Sequence, residues 1–366
     1  MAASLKPKIE LLGSYGLTSD FQYIEEGCGL RVLQLPMKGF DFDLLEGYTG
    51  NNDQIHEDND KRNTLTNLVN WIINHHNLLS NQHNLFNVHF ICSNGVFKKL
   101  LNIPFESKTQ VYKFAITNYM GIIFIKKIDS ECCDLRNSGS CYAGYKFEEF
   151  MTKKLNKRDR GQKYYNVIRG TLGSHVLLYT SEVDCIKKRC SGIPTLNDFI
   201  EIKTVFESTA IKKDTQELSR SFQLGVSRRW WGQCVMAGYK HIVIGVKEQL
   251  GGGDKIHCKR IAEVDVEKLP RMALGWSPED AFKFLDTFLR TMRNVVIEND
   301  ANTVYMVSVK KSIHRHGADI SFEKLRKSDP KAIEVVTEEM IRKLKWMYFT
   351  KLWQIHFLRI TPLYST

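Results

Sequence analysis

Two short segments put charge where the interior of a β-sheet tolerates it least. Glu182-Val183-Asp184 lies within a strand-like run from Val176 to Ile186, and Glu201-Ile202-Lys203 lies between Phe199 and Phe206. Strands alternate their side chains between two faces, so Glu182 and Asp184 are expected on one face, and Glu201 and Lys203 on one face of the next strand. A carboxylate moved out of water without a partner costs several kcal/mol, so a fold that buries these runs must neutralise them. A divalent cation does so. Oxygen donors select Mg²⁺ or Mn²⁺, which hold a phosphate and turn water into a nucleophile. Lys203 then adds a point charge for the attacking water or the developing negative charge.

Short runs at 121–127 and 241–247 alternate in the same way, and the glycines at 251–253 read as a turn joining two strands. Residues 61–77 form an amphipathic helical pattern on Leu65, Leu68, Val69, Ile72 and Ile73. Ser277-Pro278-Glu279-Asp280 opens another helix: serine caps, proline fits the first turn, and the acids meet the positive end of the dipole. A late helix begins after Thr337 and carries Met340, Ile341, Leu344, Met347, Tyr348, Leu352 and Ile355. The expected class is α/β: mixed β-sheets flanked by helices, in a single compact domain over 1–310 with a helical extension over 311–366. That extension either docks on the domain or offers a surface to a protein partner.

Charge narrows the partner. The 366 residues carry 52 Lys and Arg against 41 Asp and Glu, a formal +11, which favours a polyanion. No uncharged apolar stretch is long enough for a membrane span, and Met1 to Lys8 lack a signal-peptide core, so a soluble, intracellular chain with no membrane partner is expected. The 9 cysteines contain no CxxC pair and fit reduced thiols better than disulfides or a zinc module. His75, His76, His83 and His89 lack metal-ligand spacing.

An acid, an interval and then Glu-x-Lys is the pattern of metal-dependent nucleases with a restriction-endonuclease-like core. An isolated Glu-x-Lys is more often a solvated surface pair. The apolar flanks Phe199, Ile200, Ile202 and Phe206, with Glu-Val-Asp ahead of them, favour the metal site here. Gly144-Tyr145-Lys146-Phe147-Glu148 adds a further acid. Arg228-Arg229-Trp230-Trp231-Gly232-Gln233 either binds nucleotides by stacking or forms a helix whose tryptophans are core, and the core reading fits the tryptophans better.

Together these segments resemble the decapping exoribonuclease (DXO) family, whose members hydrolyse defective 5′ ends of RNA. Further matching segments are Phe40-Asp41-Phe42-Asp43-Leu44-Leu45-Glu46-Gly47-Tyr48, Val167-Ile168-Arg169 and Leu172-Gly173-Ser174-His175, in register from about residue 10 to about 300. The resemblance implies that Glu148, Glu182, Asp184 and Glu201 hold Mg²⁺ or Mn²⁺ with the main-chain carbonyl of Ile202. It implies that Lys203 and Gln233 contact the scissile phosphate or attacking water. It further implies removal of incomplete, triphosphate or nicotinamide-type caps, 5′-to-3′ exoribonuclease activity, and a nuclear location. The basic run from Lys153 to Arg160 then guides RNA, serves as an import signal, or is only a solvated loop.

Three residues depart from that pattern. Ser93-Asn94-Gly95 stands where members carry Trp-Arg-Gly, and Asn63 replaces an acid. Asn94 thus occupies a substrate-binding position with a neutral amide, which cannot replace a bidentate guanidinium on phosphate. An active enzyme is the favoured reading, because an unmaintained metal cluster would lose its acids first. The alternative is a catalytically impaired nuclear protein that binds RNA 5′ ends, similar to the insect germline protein Cutoff, and acts in piRNA-source transcription. Asn94, the late helix and the Asn-rich insertions support it. A DNA nuclease rests only on the generic acid pattern and ranks below both.

Overall fold

The computed structural model describes residues 5–25, 28–50, 64–75, 87–107, 109–128, 138–155, 161–188, 192–210, 218–250, 255–312 and 318–347. Two mixed sheets organise them. From edge to edge the first runs Ala318–Arg326, Thr303–Lys311, Val111–Tyr119, Ile122–Ile128, Phe90–Ser93, His175–Val183, Lys163–Leu172, Lys8–Leu17 and Tyr23–Glu25. Within it, Phe90–Ser93 is parallel to both its neighbours. The second runs Phe42–Asp43, Lys255–Asp265, His241–Leu250, Phe199–Phe206, Cys185–Ile186, Arg31–Leu33 and Thr152–Lys154. In that sheet Phe199–Phe206 is parallel to His241–Leu250, which pairs antiparallel with Lys255–Asp265 as the glycine turn between them suggested.

Helices Asn94–Leu100, Ser227–Ala237 and Pro278–Val295 pack into the largest core, around Phe97, Tyr179, Phe199, Trp231 and Phe288. A second core joins helix Thr64–Asn74 to the first sheet through Trp71 and Tyr165, with Met340 and Leu344 of the helical run 338–347 buried in it. A third packs helix Ser138–Met151 onto the second sheet through Phe147 and Met151. Ser277 caps Pro278–Val295 as the sequence predicts, its hydroxyl oxygen accepting the Asp280 N–H at 3.1 Å.

The segment after 310 begins as strand rather than helix. Ala318–Arg326 forms a hairpin with Thr303–Lys311 at the sheet edge. Ile320 and Phe322, two residues apart, both pack on the main core, which is a strand period. The glycines at 251–253, Asn63, residues 156–160, and Tyr348, Leu352 and Ile355 lie outside the described residues. Among those described, no disulfide joins the cysteines and no helix is long and apolar enough to cross a membrane.

One glycine links fold to site. A Cβ on Gly245 would lie 2.6 Å from ring atoms of the fully buried Phe147, which precedes Glu148 in the chain. Gly245→Ala is therefore expected to destabilise the protein by about 1–3 kcal/mol through overpacking. A denaturant melt of the variant measures this, and an unchanged midpoint would show that Phe147 yields without strain.

Candidate functional site

The chain crosses from one sheet to the other at Asp184. Val183 ends a strand of the first sheet, and Cys185 opens the short strand that pairs with Ile200 in the second. Glu182 and Asp184 thus do not share one face of a continuous strand, because the corner interrupts the two-residue period. In exchange, Asp184 Oδ2 accepts the main-chain N–H of Ile202 at 2.7 Å. Glu201 and Lys203 do share a face of Phe199–Phe206, where the Lys203 ammonium donates to the Glu201 carboxylate. The Gln233 amide, from helix Ser227–Ala237, donates to the same carboxylate. Glu148 comes from helix Ser138–Met151, which packs beside Ile200 and Ile202.

These groups form one electrostatic neighbourhood. Glu201 is 1% exposed. Burial raises the Asp184 carboxyl well above the usual carboxylate range, and the Glu201 and Glu148 charges raise it further, against Lys203 and the Ile202 N–H. Burial also raises Glu148, with Glu182 adding to the shift and Lys163, Lys203 and Arg31 opposing it. Burial pulls the Lys203 ammonium down, but Glu201 and Asp184 outweigh it and hold it above the ordinary lysine value. Glu182 pairs with Lys163, Nζ to Oε1, at 2.9 Å.

A hard cation fits this donor set: the side chains are all oxygen donors, and the mutual repulsion that raises Asp184 is what positive charge relieves. Among the described residues, however, no three His, Cys, Asp or Glu side chains are drawn together as a finished ligand set. Lys163, Lys203 and Gln233 hold the acids instead.

Asn94 begins helix Asn94–Leu100 directly after strand Phe90–Ser93 and is 6% exposed. Its Nδ2 donates to Ser181 Oγ at 3.2 Å and to the Gln233 carbonyl at 2.9 Å. It therefore braces a strand against a helix, and its donors are spent inside the protein rather than on a ligand. One helical turn on, Lys98 Nζ donates to Gln233 Oε1 at 2.7 Å. Burial lowers the Lys98 ammonium to about 8, Lys203 lowers it too, and Glu201 opposes them. Lys98, Lys163 and Tyr239, whose hydroxyl donates to the Glu182 carbonyl at 2.9 Å, were not singled out from the sequence. The spacing from Asn94 to Lys98, one turn apart on one helix face, is the signal that could have found Lys98.

The Arg228–Gln233 run divides between fold and site. Trp230 and Trp231 are core, Trp230 edge-on to Phe222 and Trp231 against Trp276 and Phe282. Arg228 is also buried, donating to Asn102 Oδ1, the Phe105 carbonyl and Glu106 Oε1, each at 2.8 Å. It is a clamp between helices and not a nucleotide contact. Gly232 lets the helices meet: a Cβ there would come 3.0 Å from Asn102 Nδ2. Only Gln233 of this run faces the acids.

The family model described as RAI1 like PD-(D/E)XK nuclease matches residues 7–340. In this sequence Asp184 followed by Glu201-Ile202-Lys203 has the order of the acid and (D/E)-x-K in that description, with Val183 ahead of Asp184 where the description has proline. The decapping and exoribonuclease protein of Mus musculus is 25% identical over 328 residues, covering 83% of this chain and 80% of its own length. The decapping and exoribonuclease protein Rai1 of Drosophila melanogaster is 23% identical over 260 residues, 65% of this chain and 64% of its own. Among solved structures, Candida albicans Rai1 in complex with pU5-Mn²⁺ aligns with a TM-score of 0.71 at 18% identity, covering 94% of this chain and 98% of that one. Scheffersomyces stipitis Rai1, in complex with (3′-NADP)⁺ and calcium, aligns at 0.70 and 19% over the same shares. With the family model spanning both sheets and the corner between them, the chain belongs to the RAI1-like PD-(D/E)XK nuclease family.

Proposed function

We propose that this protein is a divalent-metal-dependent hydrolase of RNA 5′ ends. The observation that carries the reading is the convergence of Glu148, Glu182, Asp184 and Glu201 with Lys203 and Gln233 at one sheet corner. Its substrates are incomplete, triphosphate or nicotinamide-type caps, followed by 5′-to-3′ exoribonuclease degradation. The Candida albicans relative solved with pU5-Mn²⁺ supports this choice of ligand and metal. Mg²⁺ or Mn²⁺ would be held by the four acids and the Ile202 carbonyl. When bound, such a cation acidifies water and neutralises phosphate charge. Lys203, released from its ion pair with Glu201, presents its ammonium to the reacting phosphate, and the Gln233 amide orients the phosphate or the water. The proposal includes a nuclear location and a protein partner on the C-terminal helical segment, where Trp346 is 56% exposed.

A second reading has its own support. Lys163 and Lys203 already pair with the acids, and the Asn94 amide is committed to Ser181 and Gln233. A catalytically impaired RNA 5′-end binder, similar to Cutoff, would look like this. Purified protein incubated with triphosphorylated, nicotinamide-capped and monophosphorylated RNA in Mg²⁺ or Mn²⁺ separates the two. Product release that falls by orders of magnitude in Glu201→Ala is expected. End binding without turnover sinks the hydrolase and favours the second reading, whereas faster cleavage of single-stranded DNA than of RNA moves the substrate to DNA.

Metal binding has a separate readout. A ligand that binds only the folded protein stabilises it by about 2.7 kcal/mol at 100 times its dissociation constant. Mn²⁺ is accordingly expected to raise the melting temperature, and to do so less in Asp184→Asn. Equal shifts in both proteins would remove Asp184 from the metal site.

A further inference from the structure

We propose that Lys98 is a substrate-binding residue of this site, its ammonium holding an oxygen of the phosphate group that reacts. This rests on the reading of the site as a hydrolase of RNA 5′ ends. Among the described residues Lys163 pairs with Glu182, and Lys203 with Glu201. Lys98 differs. Its hydrogen-bond acceptor is the neutral Gln233 Oε1, and among the described residues no carboxylate lies within ion-pair distance of its Nζ.

A structural role alone does not account for the charge. Lys98 lies in the last turn of its helix, where the dipole favours a cation by about 0.3–1 kcal/mol. A hydrogen bond to a neutral acceptor adds about 1 kcal/mol. Lys98 is half-buried, and an ammonium partly withdrawn from water with no carboxylate in contact loses hydration that a helix end and a neutral acceptor replace only in part. An anion that enters the site supplies the missing partner.

The place is right for that anion to be the reacting phosphate. Gln233 bridges Lys98 to Glu201, accepting from the lysine and donating to the carboxylate. Lys203 donates to that same Glu201 carboxylate, so the two ammonium groups converge on one acid, Lys203 by direct contact and Lys98 through the Gln233 amide. Two like charges that repel across a site are both relieved when a phosphate lies between them. Asn94, one turn earlier and about 6 Å along the axis, is locked to Ser181 and Gln233, so the same helix face offers its cation from Lys98 instead.

The test compares wild-type protein with Lys98→Met, Lys98→Gln and Lys98→Arg, each checked for folding by thermal melting. RNA binding is measured against salt with divalent metal chelated, and kcat/KM is measured with Mn²⁺. Loss of one phosphate contact to a single strand should make the slope of log Kobs against log salt shallower by about 0.7 in Met and Gln. The same variants should lower kcat/KM by about 10- to 100-fold, and Lys98→Arg should keep most of both. An unchanged slope overturns the proposal even if the rate falls, since Lys98 would then act only through Gln233. A shallower slope with unchanged kcat/KM also overturns it, because the contact would be elsewhere on the RNA. If wild-type protein hydrolyses nothing, the hydrolase reading falls by itself, and the salt slope alone still decides whether Lys98 holds phosphate.

Discussion

Repulsion among carboxylates withdrawn from water is the constraint around which this molecule is arranged. Glu201 comes from a strand, Glu148 from a helix packed on that strand, and Asp184 from the corner where the chain changes sheets. Burial raises the cost of ionising Asp184, and the Glu201 and Glu148 charges raise it further. Such a cluster persists only inside a scaffold stable enough to carry it, and three hydrophobic cores surround it. The corner also gives back one interaction. Asp184 accepts the Ile202 N–H across the sheet junction, a charge-assisted bond that fixes the carboxylate against the Glu201 strand.

Cations and amides are aimed at this cluster by helix packing. Helices Asn94–Leu100 and Ser227–Ala237 approach closely at Gly232, and Arg228 ties the second to the segment following the first with three hydrogen bonds. Asn94 fastens the start of the first helix to Ser181 and to the second helix. With both helices held, Lys98 and Gln233 meet over Glu201 without needing to be ordered when a ligand arrives. Pre-organised groups of this kind lose less freedom on binding, so more of each charge contact appears as affinity or rate. Asn94 is then a scaffold residue, and the cation on that helix face is Lys98, one turn further on.

The main elements were legible where the side-chain period is regular. Phe199–Phe206 and Pro278–Val295 follow their side-chain periods, the latter with its Ser277 cap. Periodicity failed at two places for different reasons. At Asp184 the alternation continues through a change of sheet, because period two is the same in both and the corner leaves no gap in the apolar pattern. After 310, the helical pattern that follows Thr337 does not extend back to Ile320 and Phe322, whose two-residue spacing places a strand before it. Trp230 and Trp231 are core, as their sequence context favoured, whereas nothing local marks Arg228 as buried, because a cation beside aromatics looks alike on a surface groove and in a helix interface.

By itself the sequence determined that acids sit inside apolar strands beside a Glu-x-Lys, and that something must neutralise them. Which groups do so was decided by the tertiary structure alone. Lys163 reaches Glu182, Gln233 reaches Glu201 from 32 residues away, and Lys98 reaches Gln233 from 135. Electrostatic and hydrogen-bond energies depend on separation in space, and no side-chain period along a strand or helix carries information about a neighbour on another element. That is why Asn94 reads as a lost grip in the sequence and as a brace in the fold, with an ammonium one turn beyond it that meets a neutral amide oxygen.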